Sequence, residues 1–131
     1  MTATEISTDR APQSKSPLSQ AVRLGNLLFI SGQVAADPAT GQPISGGIRE
    51  QTERVLQNLQ AVLEAGGSSL ADVLKTTCFL TDLADFGTFN EVYSRYFTGR
   101  RPARSAIGVA GLAAPYVVEV EAIAGVRESD R

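Results

Sequence analysis

Histidine is absent from this chain of 131 residues, and cysteine occurs once. The absence of histidine removes the most common general base, the most common metal ligand and the usual partner of a catalytic serine. Because Cys78 stands alone, the chain can form neither an intrachain disulfide nor a cysteine-based zinc site. Nothing in this cysteine usage indicates an oxidising compartment, so we expect a cytoplasmic protein. Any chemistry must rest on carboxylates, arginine, hydroxyl groups and backbone dipoles.

Long hydrophobic runs and strong positive charge are also missing. No stretch of 18 apolar residues predicts a membrane span, and the polar N-terminal residues lack the apolar core of a signal peptide. The net charge of −2 gives no electrostatic reason to bind a phosphate backbone, because nucleic-acid-binding proteins usually carry a basic stripe. Arg100 and Arg101 are interpreted as a solvated loop. We therefore expect neither a membrane nor a nucleic-acid partner.

The length and the hydrophobic pattern predict one small domain over residues 16–127. Residues 1–15 are small and polar without apolar periodicity, which predicts a flexible N-terminal tail, and residues 127–131 have the same character. Period-two and period-3.6 patterns alternate between these ends and predict the element order β-β-α-β-α-β-β. The predicted strands span residues 21–24, 27–31, 72–81, 105–109 and 117–126. The predicted helices run from 48 to the glycines at 66–67, and from 86 to near Gly99 after a cap at Asp82 or Asp85.

This order indicates an α+β domain with a mixed sheet and both helices on one sheet face. The last predicted strand alternates, with Val118 and Val120 directed towards the helices. Glu119, Glu121 and Ile123 then lie on a face that no helix covers. Such a face is either wet or lies at a subunit boundary, and small homo-oligomers commonly close a symmetric ring.

Arg104 is the first candidate for function. It stands in the segment Pro-Ala-Arg-Ser, where a loop becomes a strand, and its planar guanidinium could bind a carboxylate in bidentate geometry. A surface salt bridge is the simpler alternative. Position alone favours that alternative.

The paired glutamates are the second candidate. Burial of their face would raise the pKa of Glu119 or Glu121 and allow proton relay near neutral pH, although both could instead be solvated or paired with arginines of a neighbouring subunit. Gly32, after Ser31, would let a ligand or a backbone approach closely, or it could simply mark a turn. Aromatic residues of the second helix and Cys78 are interpreted as core.

Several separated segments, in this order, resemble the RidA/YjgF family, also called the enamine/imine deaminase or L-PSP family. The resemblance covers residues 16–125. It is carried by the segments SQA at 19–21, GN at 25–26, SGQ at 31–33, Gly41, Gln51, Asn58, VLKTTCFLTD at 73–82, FN at 89–90, YF at 96–97, PARS at 102–105 and VEVEAIA at 118–124. Each segment is weak by itself, whereas the ordered set is specific.

The resemblance implies a chorismate-mutase-like fold, a homotrimer with clefts between subunits, and hydrolysis of reactive 2-imino or enamino acids to 2-keto acids and ammonia. It implies no metal and no organic cofactor. Arg104 matches the arginine that binds the substrate carboxylate, and Glu119 matches the glutamate that helps hold the attacking water. The pocket residues implied by the same match are Leu18, Ser31, Gly32, Phe89, Asn90 and Ala106.

Two positions depart from the best-studied branch of that family. Leu18 stands in place of a tyrosine that packs on the ligand, and Ala106 in place of a cysteine that contacts the water site. These departures favour, as one alternative, a pathway-specific deaminase of a larger aminomuconate-like or aminoacrylate-like substrate. A non-catalytic ligand-binding or regulatory trimer is the other alternative.

Overall fold

The computed structural model describes residues 1–127 and shows an α+β fold with two helices and one six-stranded sheet. The strands are β1 (Thr4–Ile6), β2 (Ala21–Leu24), β3 (Leu27–Gln33), β4 (Val73–Leu80), β5 (Ala103–Gly108) and β6 (Val118–Gly125); the helices are α1 (Ile48–Ala65) and α2 (Phe86–Tyr96). The predicted helices and the five predicted strands all exist, with bounds shifted by a few residues.

The sheet has the strand order β1-β2-β3-β6-β4-β5. All neighbouring strands are antiparallel except β4 and β5, which are parallel and connected through α2. The period-two alternation of β6 sends Val118, Val120, Ala122 and Ala124 into the core, as the sequence predicted. Both helices pack on this face: α1 contacts β3 and β6, and α2 contacts β4 through Tyr93.

The helix ends follow from local sequence. Gly47 precedes α1, and its backbone N–H donates to the Glu50 carboxylate at 3.0 Å, which satisfies a donor that the helix itself cannot pair. At the start of the α2 region, Asp82 accepts a hydrogen bond from the N–H of Ala84 at 2.9 Å, so the first of the two proposed caps is the one that bonds. A short 3-10 turn over Leu83–Asp85 separates this cap from α2.

The N-terminal segment corrects the prediction of a flexible tail over residues 1–15. Thr4–Ile6 forms an edge strand paired with β2, and Ala11 is fully buried in the core. The physical reason is a long-range clamp: the Gln20 side chain bonds to the backbone of Thr8, Ala11 and Pro12. Sequence periodicity misses this segment because its strand has only three residues and the Gln20 side chain holds most of the remainder. The predicted C-terminal tail lies, from residue 128 onwards, outside the described residues.

The sheet face opposite the helices carries exposed apolar side chains beside charged ones. Phe29 and Ile107 are 43% and 45% exposed, and a shallow groove of about 400 Å³ runs between Phe29, Lys75 and Glu121. Within residues 1–127 no other element of the same chain covers this face, as the pattern of β6 predicted. In the same described range, neither helix is both long and apolar enough to cross a membrane.

Candidate active site

Arg104 lies on β5 beside the second helix. Its in-register partner on β4 is Thr76, and its side chain extends along α2, where Asn90 Oδ1 accepts a hydrogen bond from Arg104 Nη1 at 2.8 Å. The guanidinium carbon stands 4.9 Å from the ring centroid of Tyr93 and 5.5 Å from that of Phe86, distances at which aromatic faces attract cations. These contacts hold the arginine in one orientation while the residue itself remains exposed.

Beneath the arginine, the aromatic residues of α2 are part of the core. Phe89 is fully buried, with its ring centroid 5.9 Å from the Arg104 guanidinium, and Tyr93 is 6% exposed. The Tyr93 hydroxyl and the Thr76 hydroxyl lie 2.7 Å apart, and burial raises the pKa of Tyr93. Phe89 was predicted to line the pocket; the structure places it as a support under Arg104. Tyr93 contacts the arginine directly, which its interpretation as simple helix core missed.

The Arg104 cleft, with a volume of about 360 Å³, is lined by Asn90, Tyr93, Ser94, Arg101, Pro102 and Arg104. Ala106 lies two residues after Arg104 on β5 and is therefore on the same sheet face, where it is half-buried against the core. Its partner on β4 is Cys78, and burial raises the pKa of that thiol to about 11. Cys78 is thus a protonated core residue at neutral pH, and this agrees with the interpretation from sequence.

Glu119 lies on β6 next to an irregularity in β3. The β3–β6 register shifts between Ile30 and Gln33, which places Ser31 and Gly32 beside Glu119. A Cβ atom added to Gly32 would lie 1.9 Å from Glu119 Oε2, so a side chain here would displace the carboxylate. Burial and, to a lesser degree, the charge of Glu121 raise the pKa of Glu119.

A second cleft, of about 430 Å³, surrounds this carboxylate and is named here the Glu119 cleft. It contains three further predicted residues, Leu18, Ser31 and Gly32. The Ser31 hydroxyl donates to the carbonyl of Ser19, just before β2, at 2.6 Å, so its proton is bonded to the backbone. Leu18 is about half exposed at the mouth of the cleft.

Arg104 and Glu119 lie on opposite faces of the sheet. Arg104 is the partner of Thr76, whose side chain is buried against α2, whereas Glu119 stands between the fully buried Val118 and Val120 and points the other way. The predicted residues therefore divide into two groups: Arg104 with Phe89, Asn90 and Ala106, and Glu119 with Leu18, Ser31 and Gly32. Within one chain these groups do not form a common pocket.

The Glu119 cleft also contains residues that the sequence did not indicate. They come from three irregular segments and include Pro12, Gln13, Ser14, Ser16, Val34, Ala36, Ala113 and Tyr116. Their segments were interpreted as tail or loop, and no periodicity or motif marks them. Among residues 1–127, no group of three or more Asp, Glu or Cys side chains could hold a metal ion.

Known proteins are similar to this chain over most of its length. A family model described as endoribonuclease L-PSP matches residues 8–126. The chain is 48% identical to a mouse 2-iminobutanoate/2-iminopropanoate deaminase over 91% of this chain and 88% of the relative. A 49% identical RutC family protein from Pyrococcus abyssi is matched over 91% of this chain and 94% of the relative.

Solved structures show the same fold. The RidA structure from an Antarctic Psychrobacter species superposes with a TM-score of 0.90 at 43% identity, covering 94% of this chain and 99% of that one. The structure of E. coli TdcF with bound serine has a TM-score of 0.89 at 41% identity, covering 95% and 99%. With its ordered motifs, its matching family model and these relatives, the chain belongs to the RidA/YjgF family.

Proposed function

We propose that this protein hydrolyses small 2-imino acids, and the enamines that tautomerise to them, to 2-keto acids and ammonia. The observation on which the proposal depends most is the Arg104 guanidinium, which Asn90 and three aromatic rings orient in an open cleft. A fixed, permanently charged fork fits the one group that all 2-imino acids share, the carboxylate. The deaminase names of the mouse, rat and human relatives support the same reaction.

Glu119 is the group we assign to the attacking water. Burial raises the pKa of Glu119 towards neutral pH, and a general base is most effective when its pKa lies near the working pH. Water adds to C2 of the protonated imine, and Glu119 takes one of its protons. Glu119 passes that proton to the nitrogen and then takes the proton of the new C2 hydroxyl as the C2–N bond breaks, so that C2 becomes a carbonyl carbon and ammonia leaves. The ammonia takes the remaining proton from Glu119 and departs as ammonium, which restores the carboxylate. The backbone carbonyl of Ala106, on the strand that carries Arg104, is the acceptor we expect for the substrate nitrogen.

The reaction requires modest assistance, because a protonated imine is already electrophilic. Holding the water and the imine carbon together in the productive orientation provides most of the acceleration. Neither a metal nor an organic cofactor takes part in this proposal. Binding of the carboxylate and activation of the water are sufficient.

A site that uses both Arg104 and Glu119 requires a second copy of the chain, since the two side chains leave the sheet on opposite faces. We propose a homotrimer in which Arg104 of one subunit meets Glu119 of the next. Exposed apolar residues on the uncovered sheet face, such as Phe29 and Ile107, supply surface for such an assembly. The family resemblance favours a trimer over other rings.

The proposal can be tested with an assay in which an amino-acid oxidase generates 2-imino acids and semicarbazide traps those that survive. Wild type should suppress trapping, whereas Arg104→Ala and Glu119→Gln should each fail to do so. Co-refolded in equal amounts, the two inactive variants should regain activity at about a quarter of the sites, because a site at a subunit boundary can combine the two intact residues. No recovery on mixing, with intact trimers, would place both residues in one subunit and contradict the shared site.

A larger substrate is the second candidate. Leu18 at the mouth of the Glu119 cleft and the apolar residues Val34 and Ala36 in its lining favour it. Rates across imino acids of increasing side-chain size decide between the two, and a preference for the smallest would exclude the larger substrate. Binding of a 2-keto acid without turnover of any imine would instead favour a non-catalytic ligand-binding trimer.

A further inference from the structure

Three irregular segments line the Glu119 cleft: residues 12–18, residues 34–36 and residues 113–116. The first and third segments belong to no strand, and the second has only an isolated bridge between Ala36 and Pro43. Segments with so few ladder hydrogen bonds are usually among the least stable parts of a fold. A cleft that holds a water molecule beside a carboxylate needs walls with a fixed backbone. Contacts from other parts of the chain must therefore hold these three segments in place.

Gln20 holds the first segment. Its side chain is 7% exposed, its Oε1 accepts from the N–H of Thr8 at 2.6 Å, and its Nε2 contacts the carbonyls of Thr8, Ala11 and Pro12 at 3.0, 3.3 and 3.0 Å. The wall of the cleft begins at Pro12. A single buried amide thus fixes the backbone immediately before that wall.

Gln51 holds the third segment in the same way. This residue of α1 is 3% exposed; its Nε2 donates to the carbonyl of Pro115 at 3.1 Å, and its Oε1 accepts from the N–H of Val117 at 2.9 Å. The two bonds flank Tyr116, which lines the cleft. The position of Tyr116 therefore depends on the side-chain amide of Gln51, which lies on α1.

Asn58 holds the second segment. It is fully buried on α1, and its Nδ2 donates to the carbonyls of Val34 at 3.0 Å and Ala36 at 2.9 Å. The Arg54 Nε donates to Asn58 Oδ1 at 3.0 Å and orients the amide. Val34 and Ala36 both line the cleft, so each of the three segments has its own buried amide.

We propose that Gln20, Gln51 and Asn58 are positioning residues that fix the walls of the Glu119 cleft, each acting on one segment. Gln51 and Asn58 lie outside the lining of the cleft, whereas Gln20 is also part of it, and all three act through the backbone they bind. This inference rests on the proposed function for its catalytic consequence but not for its structural one. Three buried amides that each donate to wall backbone provide the preorganisation that catalysis by positioning requires.

The test compares Gln20→Met and Gln51→Met with Ser68→Ala as the matched control. Ser68 also makes a buried side-chain bond, to the carbonyl of Gly125 at 2.6 Å, but about 20 Å along β6 from Glu119 at the strand rise of about 3.3 Å per residue. Hydrogen–deuterium exchange should accelerate at residues 8–18 in Gln20→Met and at residues 113–117 in Gln51→Met, each without the other. Ser68→Ala should change neither region.

Kinetics supply the second readout. We expect kcat to fall about tenfold in both amide variants while KM for the smallest 2-imino acid changes less than about twofold, because the carboxylate contact lies on the Arg104 side.

The two proposals fail in different ways. If wild type turns over no imine but each amide variant exchanges faster only in its own segment, the positioning role of the amides is supported and the proposed function is rejected. If wild type is active and every variant loosens both regions together, or Ser68→Ala lowers kcat as much as the amide variants do, the positioning role is overturned.

Discussion

The two halves of the candidate site are constructed differently. Arg104 stands on a strand and contacts a helix, so regular elements and a ring-lined surface fix it. Glu119 stands on a strand too, but irregular segments held by single buried amides form the walls around it. Regular elements suit the constant part of a substrate, here the carboxylate. Irregular segments can change by insertion or substitution, which suits the part that differs between substrates.

Of the substitutions that test this difference between the two halves, replacement of Glu119 should reduce activity the most. We expect Glu119→Gln to lower kcat by about 100- to 10,000-fold, the usual contribution of a general base, without loss of the folded state. The imine-trapping assay measures it, with circular dichroism to verify folding. Glu121→Gln, two residues along the same strand, is the control and should retain turnover.

The pH dependence sharpens the same contrast. Because the carboxylate form of Glu119 is required, kcat/KM should fall as the pH drops through its pKa, and burial places that acid limb above the ordinary value for a glutamate. Removal of the like charge in Glu121→Gln lowers the pKa of Glu119 and should move the limb to lower pH. A limb that shifts upwards or stays in place would contradict the assignment.

Arg104→Lys tests the other half, with a smaller expected effect. Lysine keeps the charge but cannot offer two parallel donors, and we expect kcat/KM to fall about 10- to 100-fold, mostly through KM. Arg101→Lys is the matched control, since Arg101 lines the same cleft without contacts to the aromatic rings. Equal losses in both variants would deny Arg104 a special role, and no loss in either would show that the cleft senses charge alone.

The same contrast explains how much the sequence could predict. Periodicity predicted α1, α2 and β6, and it placed Glu119 on the uncovered face, because those elements obey a single repeating pattern. Arg104 and Glu119 were indicated by the resemblance, whereas their residue types left simpler alternatives open. The order of residues 1–15 was missed because it depends on the bonds of Gln20 and on the pairing of β1 with β2, contacts between distant positions that no local pattern encodes. Tyr116 and Ser14 were missed for the same reason.

Tyr93→Phe tests whether the hydroxyl beneath Arg104 contributes to stability and not to activity. The change leaves the buried Thr76 hydroxyl without its partner, so we expect the free energy of unfolding to fall by about 1–2 kcal/mol in urea denaturation. The ring under Arg104 remains, and kcat/KM should stay within about twofold of wild type. In the double variant with Thr76→Val most of the lost stability should return; a loss equal to the sum of two independent changes would exclude the hydroxyl pair as the cause.

Leu18→Tyr should have the smallest effect on stability, and it tests the Glu119 half of the site alone. Leu18 is exposed at the mouth of the Glu119 cleft, so a larger ring can be accommodated there without repacking of the core, and stability should change by less than about 0.5 kcal/mol. We expect the ratio of kcat/KM for small over large 2-imino acids to rise by about two- to fivefold, since the ring fills space that a longer side chain would occupy. Competition between two imino acids in one trapping assay measures this ratio directly. An unchanged ratio would mean that specificity is determined elsewhere, and the segments held by Gln51 and Asn58 would be the next to vary.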